Sequence, residues 1–352
     1  MYRSIWAWAR LVAVAILCAA PSASAQLDST FLAHLSIHGY LSVAYGIAGE
    51  TPYAGLPTDG TVDYDRAAIL ASYALAPSSH VVVQVAHRDL GVENQRDSEA
   101  PLLLDWAYFE QKFGDNTRLR VGQEAIPLGI YNEIRYVGTL LPFYRAPYGV
   151  YAEGGFTQET LQGAVFTQNI APGDKFGLLV NVWAGQFSQL EQGTANTPTG
   201  TVVFTKSAEM HNVLGTFVWL RTPIDGLRAG AGIMHMTVQG GALEALLGPS
   251  DETETYASID GTFDRFQIRS EGTYEVRAGG KIDVPDGYVQ AGVRVLDPLT
   301  INAQLELQHL HIAPGPYFHA NVDLTRDLGL GVNYRLPLHT VLKLEGLSLI
   351  HI

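Results

Sequence analysis

Strict alternation of polar and apolar residues between Asp264 and Arg277 constrains this chain more than any other feature of its sequence. The odd-numbered positions from 265 to 277 are polar, and the positions between them include Phe266, Ile268 and Tyr274. Side chains of a β-strand point alternately to its two faces, so this segment predicts a strand with one polar and one apolar face. At roughly 3.3 Å per residue the polar stripe is about 20 Å long, which exceeds most sheet strands.

The same alternation recurs in residues 300–308 and 328–335, so it describes an architecture and not a single strand. An all-β, antiparallel fold is therefore predicted. A soluble antiparallel sheet packed on a core has the same period of two, and the alternation alone does not show which face meets water.

Residues 1–25 have the features of a secretory signal peptide. Two arginines precede an apolar region at Leu11–Ala20, and a small-residue cleavage site follows at Ala23–Ala25. We predict that the mature chain begins at Gln26. The single cysteine, Cys18, lies within the signal, so the remaining chain must fold without disulfides.

The charge of the chain argues against nucleic acid as a partner. Removal of the signal takes two of the 22 basic residues and none of the 35 acidic ones, which leaves a net charge of −15. A chain this acidic does not attract the phosphate backbone.

The mature chain is predicted to be a single transmembrane domain, residues 26–352, that crosses the membrane with strands. No segment after residue 25 approaches the roughly 18 apolar residues of a membrane helix. A closed barrel is the other structure that pairs every backbone group in hydrocarbon. A coarse reading gives about sixteen strands, with 199–207 and 209–221 read separately, and long loops at 48–63, 188–198 and 240–250. Short turns at one rim and long loops at the other are typical of an up-and-down outer-membrane β-barrel.

Aromatic residues near strand ends or on the apolar stripes fit the girdles of such a barrel. Sixteen strands would also leave an aqueous channel inside. The predicted girdle residues are Tyr45, Tyr73, Trp106, Tyr108, Trp183, Trp219, Tyr274 and Tyr334.

Residues 126–153 interrupt the alternation. The segment is rich in aromatic residues and contains Pro127, Pro142 and Pro147, whereas an ordinary surface loop would be more polar. Long loops with their own packing are usually functional, and we predict that this one folds inward as a constriction loop.

The loop and the later hairpins carry a resemblance to a known family. The run from Arg120 to Arg135, followed by Pro142–Pro147 and Tyr151, resembles the constriction region of Gram-negative outer-membrane porins related to the phosphate-selective porins. Segments 287–292, 302–304 and 327–334 are similar to the same group. The resemblance implies a trimeric, sixteen-stranded pore in the cell outer membrane, in contact with lipid and lipopolysaccharide, that passes small hydrophilic solutes. It also implies that Glu133, Arg135 and Arg145 line the eyelet.

Charged residues on the polar stripes complete the predicted pore. The constriction set is Arg118, Arg120, Glu124, Tyr131, Glu133, Arg135 and Arg145. The lumen-lining set is Arg66, Arg88, Asp105, Arg265, Arg269, Glu271, Glu275, Arg277, Arg294 and Arg335. Acids opposite arginines in a narrow, low-dielectric pore filter solutes by charge. The arginines favour anionic or zwitterionic solutes weakly, while charges of both signs would also serve merely to keep the lumen wet. The scarcity of lysine argues against phosphate in particular.

Two other classes of protein remain alternatives. A barrel enzyme would place a serine, a histidine and an acid together at a rim, as Ser36 and His38 partly do, but no nucleophile motif surrounds them. His309, His311 and His319 are a weak metal pattern, and we predict no enzyme activity, cofactor or metal site. The other class is a soluble periplasmic β-sandwich binding protein.

The end of the chain departs from the porin pattern. Outer-membrane barrels normally end on an aromatic residue, whereas this chain ends Gly346–Ile352 without one. We therefore expect an incomplete last strand, a count nearer fifteen, and incomplete pairing with the strand near residue 34.

Overall fold

A computed structural model of the chain describes residues 29–50, 55–91, 102–151, 160–171, 175–197, 200–313 and 320–349. The predicted signal at 1–25 and residues 152–153 of the predicted loop lie outside these ranges. The strands are β1 Leu35–Val43, β2 Tyr64–Ala76, β3 Ser79–Leu90, β4 Leu103–Phe113, β5 Thr117–Ala125, β6 Thr160–Ile170, β7 Gly177–Thr197, β8 Gly200–Arg221, β9 Leu227–Gly240, β10 Ser250–Phe263, β11 Phe266–Arg277, β12 Ile282–Leu296, β13 Leu299–Ile312, β14 Ala320–Leu336 and β15 Thr340–Leu349. Within these ranges lie three short helices, α1 Ser29–His34, α2 Tyr148–Tyr151 and α3 Glu244–Leu247.

The strands form one fifteen-stranded antiparallel sheet in which each strand pairs with its neighbours in the chain. This is the predicted up-and-down topology of a transmembrane barrel. No ladder among the described residues joins β1 to β15, and the alternation of strand direction makes these two edge strands run the same way. Among the described helices, none is long and apolar enough to cross a membrane.

The two faces of the sheet differ as the alternation predicts. On β11, Phe266, Ile268 and Tyr274 are exposed on the outer face, whereas Glu271 and Arg277 are buried on the inner face. Large apolar side chains are exposed all along the sheet, from Ile37 on β1 to Leu342 on β15. An apolar outer surface of this extent is the reverse of a soluble sandwich, which hides its apolar faces between two sheets.

The predicted segments 199–207 and 209–221 belong to a single strand, β8, so fifteen strands lie within the described residues, the lower of the two predicted counts. A β-bulge lies at Asn212, whose φ is +52°, and the pairing with β9 shifts between His211 and Leu214. The bulge moves the inward positions from Ala208 and Met210 to odd numbers. The long loop predicted at 188–198 is also wrong, since β7 and β8 continue as a hairpin to the pair Thr197 and Gly200.

The aromatic residues divide between the two faces. Tyr45, Tyr274 and Tyr334 are exposed, in keeping with the predicted girdle. The prediction is wrong for Trp183 and Trp219, which are buried on the inner face. Trp183 lies over Gly215 of the neighbouring strand, where an added Cβ would meet its ring at 2.4 Å. The small residue on β8 thus leaves room for the tryptophan of β7.

An apolar cluster occupies the inner wall from β6 to β10 and extends to the inserted loop. It includes Val165, Phe217 and Met234 on the wall and Ile126 and Ile130 on the loop. One side of the interior is therefore packed with side chains, and the polar groups concentrate on the other strands and along the loop.

Candidate pore-constriction site

The segment between β5 and β6 lies against the inner face of the sheet. Its described part, residues 126–151, contains two 3-10 turns, Asn132–Ile134 and Gly138–Leu140, followed by α2. Helix α2 contacts β11, β12 and β13, and the turn Gly138–Leu140 contacts both β1 and β15. The inward fold predicted for this segment is thus present, and the side chains that touch it identify the inner face of each strand.

Glu271 is the principal anchor of the loop. Its buried carboxylate accepts hydrogen bonds from the Ile130 amide at 2.9 Å and from the hydroxyls of Ser258 and Tyr288, both at 2.6 Å. The Tyr151 hydroxyl donates to the same carboxylate. Four donors from β10, β12 and the two ends of the loop therefore converge on one side chain of β11.

The Tyr131 hydroxyl connects the loop to two further strands. It accepts a hydrogen bond from Arg269 Nη1 at 2.8 Å and donates to Gln290. Gln290 in turn donates to Gln304, which donates to Glu306. Glu306 accepts from the Gly149 amide at 2.9 Å, so this chain of hydrogen bonds leaves the loop at residue 131 and returns to it at residue 149.

The two loop tyrosines remain neutral donors because of where they lie. Burial raises the pKa of the Tyr131 phenol above its ordinary value. Burial also raises the pKa of the Tyr151 phenol well above its ordinary value, and the adjacent Glu271 carboxylate adds to the rise. Both effects disfavour the phenolate, so each hydroxyl keeps the proton that it donates.

Arg135 holds the loop together from within. Its guanidinium donates to the Tyr151 carbonyl at 3.0 Å and to the Asn132 side chain. Its own carbonyl accepts from Arg66 Nη1 at 3.1 Å, and Arg66 Nη2 also donates to the Tyr144 carbonyl at 2.6 Å. Two of the predicted pore arginines therefore satisfy carbonyls of a loop that has little secondary structure of its own.

Arginine side chains cover the faces of the loop tyrosines. Tyr136 lies under Arg88 at 3.7 Å and Tyr144 under Arg66 at 4.3 Å, measured from guanidinium carbon to ring centre. The remaining pairs in the described part of the loop are Tyr131 with Arg269, Tyr136 with Arg66, Tyr148 with Arg145, and Tyr151 with Arg135. A cation over an aromatic face is attracted by the ring quadrupole, by about 0.5–2 kcal/mol according to exposure.

The last two strands also hold the loop. Lys343 Nζ donates to the carbonyls of Leu141 and Phe143 at 2.7 and 2.6 Å. The Tyr144 amide donates to Glu345 at 2.8 Å, and Asn333 Nδ2 donates to the Pro142 carbonyl at 2.8 Å. Residues 141–144 are thus fixed to β14 and β15.

The constriction residues predicted from the sequence fall into a buried and an accessible group. Tyr131, Glu124, Arg135 and Arg120 are nearly inaccessible, at 0%, 0%, 2% and 6% exposure. Arg120 pairs with Glu124 at 2.8 Å and with Glu133 at 3.2 Å. The side chain of Glu133 is 49% exposed, that of Arg118 is 41% exposed, and Arg145 is half-buried. A solute can meet only this second group.

The predicted lumen residues show a similar division. Ion pairs occupy some of them: Arg88 with Asp105 at 2.5 Å and Arg277 with Glu191 are buried, and Arg269 with Asp260 at 3.2 Å is half-buried. Arg265 is exposed in the two-residue turn between β10 and β11, outside any strand. Arg294 and Arg335 lie close to short turns at the same rim. These three arginines are separate from the constriction.

Sequence reasoning missed several residues that hold the loop, among them Ser258, Tyr288, Gln290 and Lys343. All four lie on inward-facing positions of their strands, so the polar stripe was a usable signal for three of them. Tyr288 stands out less, because an aromatic residue on a strand fits either face. Tyr288, Gln290 and Lys343 each contact a loop residue more than 150 positions away, and Ser258 acts through Glu271. Alternation does not show which of the many inward positions makes such contacts.

Three of the histidines considered in the sequence lie next to polar side chains. Ser36 Oγ and His38 Nε2 lie 2.8 Å apart on β1, and no described carboxylate pairs with His38. His309 Nδ1 is 2.7 Å from Asp323, and His311 Nδ1 is 2.6 Å from Asp283. His319, the third member of the weak metal pattern, lies outside the described residues.

Taken together, the single up-and-down antiparallel sheet and its inserted loop give the chain a transmembrane fold of the kind that porins have. No family model and no curated protein matches the sequence. Among solved structures the fold is similar to Salmonella typhi OmpF in complex with daunomycin, with a TM-score of 0.57, 11% identity and 86% of each chain covered. It is also similar to an anion-selective porin from Comamonas acidovorans, with a TM-score of 0.52, 12% identity, and 90% of this chain and 89% of that chain covered. Identities this low establish a likeness of fold and leave function to be argued from the site.

Proposed function

We propose that this protein is a porin of the Gram-negative outer membrane, a passive channel for small hydrophilic solutes and not an enzyme. The observation that carries the proposal is the loop at 126–151, which lies inside the sheet and is tied to inward side chains of β2, β11, β13 and β15. A loop held this firmly narrows the lumen. The exposed apolar outer face supports placement in lipid.

The accessible charges support a weak preference for anionic or zwitterionic solutes. Arg118 pairs with Glu110 at 3.5 Å and Glu133 pairs with buried Arg120, so the half-buried Arg145 supplies the positive charge on the loop that supports this preference. Positive charge at the loop attracts anions and repels cations, more strongly in a low-dielectric pore than in water. We also propose that the protein is related to the phosphate-selective porins. We do not propose phosphate as its solute.

Location and channel activity are tested on the full-length protein. Expressed in a Gram-negative host, it should stay in the outer-membrane fraction after salt and carbonate washing. Reconstituted in planar bilayers, it should give discrete, ohmic conductance steps. Release by gentle washing would favour a soluble binding protein, and membrane retention without conductance would exclude a diffusion channel.

Selectivity is tested by removing accessible charges of opposite sign. In a KCl gradient the reversal potential of the wild-type channel should show an anion preference. Arg145→Ala should reduce that preference, because it removes positive charge at the loop, and Glu133→Gln should increase it. Arg265→Ala in the rim turn is the matched control and should leave the reversal potential unchanged. A cation preference in the wild type, or equal potentials in all four proteins, contradicts the anion proposal.

We also propose a homotrimer, embedded in outer-membrane lipid and lipopolysaccharide, as the working assembly. The proposal follows from the resemblance of the loop and later hairpins to trimeric porins. Chemical cross-linking in native outer membranes should stop at three chains, and a ladder that ends at one or two chains would exclude the trimer.

A further inference from the structure

Three carboxylates converge on the inner wall away from the constriction. Glu252 and Glu254 share the inward face of β10, and Glu254 lies directly opposite Glu275 of β11. One oxygen from each of the three residues lies within 4.8 Å of the others. Like charges directly opposite each other on antiparallel strands destabilise the pair, so this arrangement calls for a positive partner.

The nearest cationic side chain is already engaged elsewhere. Arg277 Nη1 pairs with Glu191, and its Nε donates to Ser250 Oγ at 3.0 Å. Its distance to Glu252 Oε2 is 3.8 Å, at the outer limit of an ion pair. Arg277 therefore pairs closely with Glu191 and only at long range with Glu252, so this one guanidinium does not match the three carboxyl groups of the cluster.

A second observation concerns the hydrogen bonding of the Glu252 carboxylate. This side chain is only 1% exposed, and its Oε1 has no hydrogen-bond partner among the described protein atoms. A buried carboxylate oxygen without a donor costs on the order of 1–3 kcal/mol or more. A bound cation at the centre of the group satisfies that oxygen and removes the repulsion between Glu254 and Glu275.

We propose that Glu252, Glu254 and Glu275 bind a divalent cation, Ca²⁺, that links β10 to β11. Calcium takes carboxylate oxygens at about 2.3–2.6 Å, so two oxygens that share one ion lie no more than about 5 Å apart. The observed separation meets that limit, and water molecules complete the coordination shell. A set of carboxylate oxygens favours a hard cation such as Ca²⁺ over transition metals such as copper or zinc, which prefer nitrogen and sulfur ligands. The site is independent of the proposed channel function, because it needs no solute path.

The test is a titration of the purified protein, refolded in detergent micelles, with CaCl₂ by calorimetry. Tb³⁺ luminescence, with displacement by Ca²⁺, gives a second readout. The wild-type protein should show one saturable site. Glu252→Gln and Glu275→Gln should each weaken Ca²⁺ binding by about tenfold or more, because affinity depends on the number of charged ligands. Glu110→Gln on β4, six strands from β10, is the matched control and should bind as the wild type does.

Several outcomes would overturn the site. Absence of saturable binding by the wild type at millimolar CaCl₂ does so whichever variants fold, and so does equal binding by all four proteins. If Glu275→Gln does not refold, Glu275→Asp is used in its place. This substitution keeps the negative charge but shortens the side chain. Binding lost in Glu110→Gln as strongly as in Glu252→Gln would place the ion elsewhere.

Discussion

At the scale of single residues, the charged groups of this pore have two separate tasks. Glu271, Arg135 and Arg66 are buried and bind backbone or hydroxyl groups of the loop, while Glu133 and Arg145 reach open space. Burial makes the first group costly to alter, since each lost partner leaves polar atoms without hydrogen bonds in a dry environment. The second group can change with little effect on folding, and in the proposed channel it is the group that a solute meets.

Glu271→Ala should therefore destabilise the protein by about 2–4 kcal/mol, because it leaves Ser258, Tyr288 and the Ile130 amide without their common acceptor. The free energy of unfolding is measured by urea titration in lipid vesicles. Glu209→Ala is the control, since Glu209 is exposed on β8, and its change should stay within about 0.5 kcal/mol. Equal effects of the two substitutions would show that Glu271 does not anchor the loop.

At the scale of elements, alternation predicted nearly every strand but failed where the chain breaks its own period. Fourteen of the described strands correspond to single predicted segments, and β8 was divided because the bulge at Asn212 moves the inward positions from even to odd. No local signal distinguishes such a shift from a turn, since Asn is common in both. The loop could be recognised by its lost period and its prolines. Its partners could not be, because they lie on strands far away in the sequence.

The bulge should tolerate glycine and reject a β-branched residue at position 212. Asn212 has a φ of +52°, a conformation open to glycine and costly for valine. We expect Asn212→Gly to change the free energy of unfolding by less than about 0.5 kcal/mol and Asn212→Val to lower it by about 1–3 kcal/mol. Leu220→Val, on the outer face of the same strand within a regular ladder, is the control for β-branching alone. A loss of stability with glycine equal to that with valine would contradict the role of the bulge.

At the scale of the whole molecule, the inserted loop bridges the two edges of the sheet. Residues 141–144 are bound to β14 and β15, and the turn Gly138–Leu140 contacts β1 as well as β15. Exposed strand edges are unfavourable in lipid because their backbone groups have no partners. The loop thus brings the first and last strands near each other and constricts the lumen with the same set of contacts.

A disulfide between positions 42 and 138 tests this bridge. A Cβ added at Gly138 would lie 3.5 Å from the Cβ of Ser42, within the range of natural disulfides, which is about 3.5–4.5 Å. The double variant Ser42→Cys with Gly138→Cys should therefore oxidise readily, and thiol titration with gel mobility under non-reducing conditions measures it. The crosslink should also raise the free energy of unfolding, by at most about 5 kcal/mol for a closed loop of this length.

Ser36→Cys with Gly138→Cys is the matched control: Ser36 lies on the same face of β1 but about 20 Å along the strand, which is too far to bridge. Crosslinking of the control pair to the same extent, or no crosslinking of the first pair, would place the loop elsewhere and remove the bridge between β1 and β15.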